Sequence, residues 1–256
     1  MTDEQAALSQ EATTVVLPGP SWKNLHAVCI DSAGETASIA LVSAGVVVAE
    51  ETWRTGMVRA RILAPTLRQL AARSGFALDE TQIVCVCTGP GSFNGIRVGM
   101  ATAIGLAVGL GVPVYGCGAL DLLAFPHADR APAQRALLPA GKGMFYSALF
   151  GSRGGRWRRA APYTVAPLAD LVAESPAKCL WCGPLDQAMG DELTALLGGG
   201  KRVIAGAHNV RRASYLLTLA LAAAEAGAPG TTECLTPLYL RRPAITTPRT
   251  AVPGGR

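Results

Sequence analysis

The sequence predicts an α/β fold with a mixed sheet, and three observations carry the prediction. Residues 25–31, 36–42 and 46–53 are apolar or alternating segments separated by short turns, the pattern of an antiparallel meander. Helical and strand patterns then alternate, which favours parallel pairing of later strands. The chain has 256 residues, more than the ~150 of a typical domain, so two lobes are expected.

The elements after the meander follow from periodicity. Leu63, Leu67 and Leu70 recur at helical spacing, with Pro65 near the first turn and Gly75 beyond the end. An apolar strand at 83–87, a long helix reaching Leu110 and a short strand at 112–115 come next. The second half is predicted to contain strands at 136–138, 144–150 and 178–182 and helices at 167–174, 185–197 and 209–226.

These elements divide into three regions. Residues 1–24 are polar and contain Pro18 and Pro20, so we expect a disordered extension. Residues 25–118 form the first lobe. Residues 119–256 form the second lobe, together with a C-terminal helix that returns to the first lobe.

Composition indicates a cytoplasmic chain. Hydrophobic residues make up 50% of the sequence and charged residues 16%. The most apolar run, at 216–224, is shorter than the ~20 residues of a membrane span and is read as a buried helix. No basic, apolar leader opens the sequence, so we expect no membrane association.

Positive charge is concentrated in the second half. Residues 1–128 have 7 Lys and Arg against 10 Asp and Glu, whereas residues 129–256 have 16 against 8. These basic residues have two interpretations: an RNA-facing surface, or, for residues 152–159, a solvated hairpin tip. The absence of a known RNA-binding motif favours the hairpin tip. The basic residues concerned, which cluster around Trp157 or occur in pairs, are Arg153, Arg156, Arg158, Arg159, Arg211, Arg212, Arg241 and Arg242.

The seven cysteines are read as buried apolar side chains. Several of them, such as Cys29, Cys85 and Cys87, occur inside apolar strands. Cys179 and Cys182 have the CxxC spacing of zinc and redox sites, but no second pair and no suitably spaced histidines accompany them. Buried thiols in a strand are therefore the preferred reading.

The segment from Thr88 to Arg97 is the most informative motif. It reads Thr-Gly-Pro-Gly-Ser-Phe-Asn-Gly-Ile-Arg and joins a strand to the long helix. Gly89, Pro90 and Gly91 turn the chain, and Ser92 or Asn94 caps the helix, whose open N-terminus is a candidate anion contact. The segment lacks the Lys-Ser/Thr pair of a Walker A loop and the glycine spacing of a dinucleotide motif.

With the following run Val98-Gly-Met-Ala-Thr-Ala-Ile-Gly-Leu-Ala, this segment resembles the TsaB (YeaZ) family. That family is the non-catalytic subunit of the bacterial machinery that makes threonylcarbamoyladenosine in transfer RNA. The chain departs from the family pattern in having Asn94 for the usual Thr. The Asp31-Ser32 strand end and the late Pro237-Leu-Tyr-Leu-Arg segment also fall in the family's order.

The resemblance implies a two-lobed α/β fold of the actin, Hsp70 and sugar-kinase-like (ASKHA) type with mixed sheets. It implies that the chain binds and supports the catalytic paralogue TsaD and works with the small ATPase TsaE. ATP and metal are then expected on those partners, with no cofactor in this subunit. It also implies a homodimer when the chain is alone and at most an indirect contact with transfer RNA.

Small residues recur every fourth position along the long helix, at Gly95, Gly99, Ala103 and Ala107. Each glycine inside a helix costs roughly 0.5 to 1 kcal/mol relative to Ala, so the repeat indicates a packing constraint. The stripe is read as packing against the chain's own sheet or as the partner interface that the resemblance implies, and both readings can hold at once, because a helix that covers a sheet also has an outer face. Leu at Gly99 or Ala103 would, on the second reading, break assembly and leave a soluble monomer.

The sequence carries few of the residue patterns of an enzyme. The three histidines are far apart and no His-x-x-x-His pair occurs, and Ser92 does not have the Gly-x-Ser-x-Gly context of a nucleophile elbow. Asp31 occupies the strand end where ASKHA kinases hold a carboxylate near the metal nucleotide, so it is a weak nucleotide candidate. At residues 139–143 the chain lacks the Asp-Ala-Arg-like stretch that the family usually has, and Lys142 is the only charged residue left there. The alternative to a non-catalytic subunit is a divergent ATP-dependent kinase or hydrolase of the ASKHA type.

Arg97 lies in the first turns of the long helix. A cation there opposes the positive end of the helix dipole, so we expect it to pair with an acidic group elsewhere.

Overall fold

The structure is a computed structural model that describes residues 14–16, 24–55, 59–153, 156–198, 202–204, 206–228, 230 and 235–241. Eleven strands and six α-helices occur in these ranges. The strands are β1 (Thr14–Val16), β2 (Ala27–Asp31), β3 (Thr36–Ser43), β4 (Val46–Arg54), β5 (Ile83–Gly89), β6 (Val114–Gly118), β7 (Ala133–Gly141), β8 (Met144–Arg153), β9 (Arg156–Arg159), β10 (Thr164–Pro167) and β11 (Cys179–Cys182). The helices are α1 (Arg59–Ser74), α2 (Phe93–Leu110), α3 (Ala119–Ala124), α4 (Leu168–Ala173), α5 (Gln187–Leu196) and α6 (Ser214–Glu225).

The strands form two mixed sheets, which confirms the α/β class. In the first-lobe sheet the order is β4-β3-β2-β5-β6, with an antiparallel meander followed by parallel pairing of β2, β5 and β6. The second-lobe sheet has the order β1-β9-β8-β7-β11, and β10 pairs with the first half of β8. Among the strands that the structure describes in that sheet, only β11 pairs in parallel with another strand.

Strand β1 lies in the segment that was predicted to be disordered. It pairs antiparallel with β9, so the prediction is wrong for residues 14–16. The sequence Thr-Val-Val has high β propensity, and it covers the open edge of β9. The rest of the predicted extension, residues 1–13 and 17–23, lies outside the described residues.

One large apolar core joins the two lobes, and a smaller core lies within the second. The larger core contains the buried strands of the first sheet, the inner face of α2 and much of α6. Helix α6 contacts the first-lobe strands β2, β3, β5 and β6, although it lies near the end of the chain. The smaller core is formed by side chains between the second sheet and helices α4 and α5: Leu137, Phe145, Leu168, Leu171, Trp181 and Leu193.

Helix α2 is also long and apolar enough to cross a membrane, with a mean hydropathy of 1.4. This property was not predicted from the sequence, where only uninterrupted apolar runs were considered. One such helix is weak support for a span, because core helices of globular proteins share this composition. Here α2 covers the first-lobe sheet with one face, packing mainly against β5. That packing accounts for its apolar composition.

Candidate functional site

The turn before α2 is fixed by contacts with the end of β2. The Ser92 amide donates to the Ala33 carbonyl oxygen at 2.7 Å, and a side chain at Gly91 would overlap that same oxygen. The Ser92 hydroxyl caps α2 by accepting from the Gly95 amide at 3.3 Å. Gly89 has φ +107°, a value that favours glycine. Backbone contact with Ala33 therefore dictates the shape of this turn, and an anion contact there stays a prediction.

Arg97 does not pair with an acidic group among the described residues, contrary to expectation. Its guanidinium lies over the Phe93 ring, 3.9 Å from the centroid. The Phe93 ring in turn lies 4.9 Å from the Tyr239 ring. Arg97 and Phe93 are one helical turn apart on α2, so their side chains can meet. The attraction of the guanidinium to the face of the Phe93 ring therefore takes the place of the expected ion pair.

The small-residue stripe of α2 faces the chain's own first lobe. Gly95, Gly99, Ala103 and Ala107 are all buried. The Ser32 hydroxyl donates to the Gly95 carbonyl oxygen at 2.7 Å, and a Cβ at Gly99 would overlap that hydroxyl. These four residues therefore pack within the chain, and a role of the stripe in a partner interface stays a prediction.

A second set of small residues lies on the opposite face of α2. Ala101, Gly105 and Gly109 are exposed, and a Cβ at either glycine would meet nothing within 4 Å. Val108 on this face is 65% exposed. We call Ala101, Gly105, Val108 and Gly109 the outer face of α2. It is small and weakly polar, and it allows another backbone to approach closely.

Asp31 is held by an ion pair within the chain. Its carboxylate Oδ2 lies 2.7 Å from Arg211 Nε, and Oδ1 accepts from the Ala33 amide at 2.9 Å. The two side chains are 1% and 5% exposed. Burial opposes the charge on Arg211, but the adjacent Asp31 carboxylate outweighs it and raises the pKa of the guanidinium. The carboxylate assigned to nucleotide chemistry is thus already neutralised.

Some of the basic residues singled out for RNA contact have partners within the chain. Arg211 pairs with Asp31, and Arg212 Nε donates to Glu50 at 2.8 Å. Trp157 is buried and stacks on Phe150, with 4.6 Å between ring centroids.

Arg159 is buried as well and lies 4.1 Å from the centroid of the Tyr163 ring. The prediction of a solvated hairpin tip at 152–159 is therefore wrong for Trp157 and Arg159, because both are buried. Arg158, which lies between them, is exposed as that prediction requires. Arg242 lies outside the described residues, as do the side chains of Arg153 and Arg156.

Two clefts open between the lobes beside the turn and share Gly91, Ala140 and Tyr146 in their walls. The larger has a volume of about 760 Å³ and includes Asp186 and the exposed ion pair of Glu35 with Arg54. The smaller has a volume of about 340 Å³. Both volumes fall within the range of about 300 to 1,000 Å³ that is usual for small-molecule sites.

The six described cysteines are buried and unpaired. Burial raises the pKa of the Cys179 thiol to about 11 and also raises that of Cys182. Burial thus disfavours the reactive thiolate form of both cysteines of the CxxC pair, in agreement with the preferred reading. Among the described residues, no group of three or more His, Cys, Asp or Glu side chains is arranged to hold a metal ion.

Sequence reasoning missed Arg211 as the partner of Asp31. The pattern Arg211-Arg212 suggested a surface pair, and nothing local distinguishes the buried arginine from the exposed one. The two charges are 180 residues apart in sequence, so only the packing of the segment before α6 against β2 brings them together.

Comparisons with known proteins agree with the resemblance of the segment around Thr88 to Arg97 to the TsaB (YeaZ) family. The family model of the tRNA N6-adenosine threonylcarbamoyltransferase TsaD matches residues 58–180. The tRNA threonylcarbamoyladenosine biosynthesis protein TsaB of Escherichia coli is 34% identical over 100 residues, which cover 39% of this chain and 43% of the relative. The Haemophilus influenzae TsaB is also 34% identical, over 104 residues that cover 40% and 43%. The chain thus aligns with less than half the length of these relatives.

Two further similarities cover more of the chain. The Bacillus subtilis TsaB is 27% identical over 190 residues, covering 71% of this chain and 81% of the relative. The solved structure of YeaZ from Pseudomonas aeruginosa has a TM-score of 0.69 at 24% identity and covers 84% of this chain and 100% of that one. At that identity the structural match shows a shared fold.

Proposed function

We propose that this chain, which is similar to TsaB proteins of three bacteria, is a non-catalytic subunit in the threonylcarbamoyl modification of adenosine beside the anticodon of transfer RNA. It acts by binding and supporting the catalytic paralogue TsaD.

One observation supports a non-catalytic role most directly. Metal-nucleotide chemistry at the end of β2 needs a carboxylate that is free to meet a cation. Here Arg211 neutralises Asp31 in a buried pair, at 2.7 Å between Nε and Oδ2. A second cation would have to displace a guanidinium that is itself packed against Gly34. The carboxylate thus serves the fold rather than a reaction.

The outer face of α2 supports a role in binding another protein. Its exposed glycines leave room for a second backbone, and Val108 offers apolar area at 65% exposure. In this proposal the face contacts TsaD in the complex and a second copy of the chain in its absence. TsaE joins the complex, ATP and metal are held by the partners, and contact with transfer RNA is indirect. The complex works in the cytoplasm.

Reconstitution tests the role. With ATP and an activated threonylcarbamoyl donor supplied, modified transfer RNA is assayed with the chain, TsaD and TsaE, and with each protein omitted in turn. We expect activity only when all three are present and no ATP hydrolysis by the isolated chain. Hydrolysis by the isolated chain that is lost in Asp31→Asn would instead support the kinase or hydrolase alternative, whose site would be the larger cleft.

A variant of the outer face tests the binding mode. Gly105→Leu adds a bulky side chain where the isolated chain has open space, so the monomer folds while close approach of a partner is blocked. Leu196→Asp is the matched control, because Leu196 is an exposed apolar residue on α5 in the other lobe. We expect Gly105→Leu to abolish co-elution with TsaD and Leu196→Asp to preserve it. Undiminished co-elution of a folded Gly105→Leu chain contradicts the proposed face.

A further inference from the structure

The segment 235–241, which we call the strap, crosses from the first lobe to the second lobe beside the clefts. Its residues Tyr239 and Arg241 line the smaller cleft together with Lys142 and Tyr146 of the β7–β8 hairpin. Both clefts open between the lobes and share part of their walls, so a contact that joins the lobes on this side limits how far both clefts can widen. The strap is therefore in a position to control the width of the clefts.

The strap is firmly attached to the first lobe. The Leu238 amide donates to the Thr88 carbonyl oxygen near the end of β5, with 2.9 Å between nitrogen and oxygen. Leu238 is 1% exposed and belongs to the larger apolar core. The Tyr239 ring lies 4.9 Å from the Phe93 ring at the start of α2. Detaching this end would expose apolar surface from a packed core, so it is the permanent end of the strap.

The other end of the strap is attached to the second lobe by polar contacts at the surface. Arg241 Nη1 donates to the carbonyl oxygen of Ala140 at 2.5 Å and to that of Gly141 at 3.5 Å, both at the end of β7. Burial raises the pKa of Tyr146, and the positive charge of Arg241 opposes this effect, so the guanidinium also lies near β8. Because Arg241 is exposed, water can replace these hydrogen bonds, and this end of the strap can be released.

Helix α3 forms another connection between the lobes. It packs against β5 and β6 of the first-lobe sheet and against β7 and β8 of the second-lobe sheet. All of its residues, Ala119–Ala124, are buried. The described residues that line the two clefts belong to other segments, so α3 and the strap join the lobes at separate places. Rotation of the lobes about α3 would therefore widen the clefts only when the strap releases the hairpin.

We propose that the strap is a releasable latch. It holds the lobes in one arrangement while Arg241 is bound to the β7–β8 hairpin, and it lets the clefts widen when Arg241 detaches. Such a latch needs one permanent and one weak attachment, and the strap has both: a buried apolar end on the first lobe and an exposed polar end on the second. The latch is a property of the isolated chain and does not rest on the proposed function.

The separation of the lobes is measured on the full chain by double electron–electron resonance between spin labels at Arg54→Cys and Ala188→Cys. Arg54 lines the larger cleft from the first lobe, and Ala188 is exposed on α5 in the second lobe. The six described cysteines are buried, and Cys234, which lies outside the described residues, is replaced by Ser, so that the two introduced thiols take up the labels. Arg241→Ala detaches the strap from the hairpin. Arg158→Ala, which removes an exposed cation elsewhere in the second lobe, is the matched control.

We expect one short distance in the wild type and a second, longer distance in Arg241→Ala. The ratio of open to latched molecules should rise roughly tenfold, the loss expected for a charge-assisted hydrogen bond. Arg241→Lys, which retains a charged donor, should reverse part of this change, and Arg158→Ala should match the wild type. Equal distance distributions for the wild type and Arg241→Ala overturn the latch, as does a shift of the same size in Arg158→Ala. Because no partner protein is present, a failure of the latch is distinguishable from a failure of the proposed function.

Discussion

Arg211 reaches across 180 residues of sequence to place its Nε 2.7 Å from Oδ2 of Asp31, in a pair that is almost completely buried. The contact joins the end of β2 to the segment that leads into α6. It fixes how the last helix returns to the first lobe, and it occupies the carboxylate that was the candidate for nucleotide chemistry.

Removing Arg211 is expected to be strongly destabilising. Arg211→Met retains much of the side-chain volume but leaves the Asp31 carboxylate buried without a counter-charge, which costs about 3 to 5 kcal/mol. The free energy of unfolding is measured by urea denaturation. The double variant Asp31→Asn/Arg211→Met should recover much of the loss, because no buried charge remains and Asn can still accept from the Ala33 amide.

The exposed pair of Arg54 and Glu35 serves as the control for this experiment. Both side chains are 81% exposed, so Arg54→Ala should cost no more than about 1 kcal/mol. Equal costs for Arg54→Ala and Arg211→Met would contradict a special role for the buried pair.

Gly99 and Gly105 should respond oppositely to the same substitution. Gly99→Ala forces a Cβ into the Ser32 hydroxyl and should destabilise by about 1 to 3 kcal/mol. Gly105→Ala meets open space and should stabilise α2 by up to about 1 kcal/mol. Thermal and urea unfolding of the two variants checks this. Ser32→Ala should lessen the cost of Gly99→Ala; strictly additive effects would show that the hydroxyl is not the obstacle.

The turn between β3 and β4 should be improved by a single substitution. Ala44 and Gly45 have φ values of +50° and +76°, the pattern of a type I′ turn, in which Asn-Gly is strongly preferred. Ala44→Asn should stabilise by about 1 kcal/mol because Ala is strained at positive φ. Ala44→Val, with a β-branched side chain, should lower the urea midpoint; a higher midpoint for Val than for Asn would refute this account.

His127 should make stability depend on pH in the mildly acidic range. Burial lowers the pKa of its imidazole, and Nε2 lies 3.1 Å from the His208 carbonyl oxygen, which can only accept, so Nε2 carries the proton. Nδ1 is buried and has no hydrogen-bond partner among the described residues. Because the unfolded chain binds the proton more tightly than the folded one, stability should rise with pH up to about 6.5 and level off above it.

The comparison for His127 is the variant His127→Gln, which cannot titrate. Unfolding free energies at pH 5 and pH 7.5 should differ by less in this variant than in the wild type. The nearby Arg130 also lowers the pKa of His127, so Arg130→Ala should weaken the effect. An unchanged pH profile in His127→Gln would assign the dependence to other groups.

Local patterns predicted most of the elements. The meander, the strand Ile83–Gly89 and the helix Phe93–Leu110 lie where periodicity and turn residues placed them, because apolar spacing records which face is buried. Strands β9 and β10 were missed. They are only four residues each, and they are specified by pairing with the two halves of β8 rather than by their own sequence.

The candidate site was predicted less well than the fold. Ser92 caps α2 as its residue type suggested, since capping is a local interaction. The glycine stripe was correctly read as a packing constraint, but spacing alone did not say whether the contact is internal or external. Lys142 and Arg241 were each noted in the sequence, yet nothing there indicated that they line one cleft.

The sequence by itself determined the α/β class, the resemblance to the TsaB (YeaZ) family and the turn that starts α2, because these depend on residues close together along the chain. Only the tertiary structure decided that the stripe of α2 is internal, that Asp31 is neutralised by Arg211, and that two cations and two tyrosines share a cleft. Those relationships join segments up to 180 residues apart, and charge and packing partners at that separation are set by the three-dimensional fold rather than by local pattern.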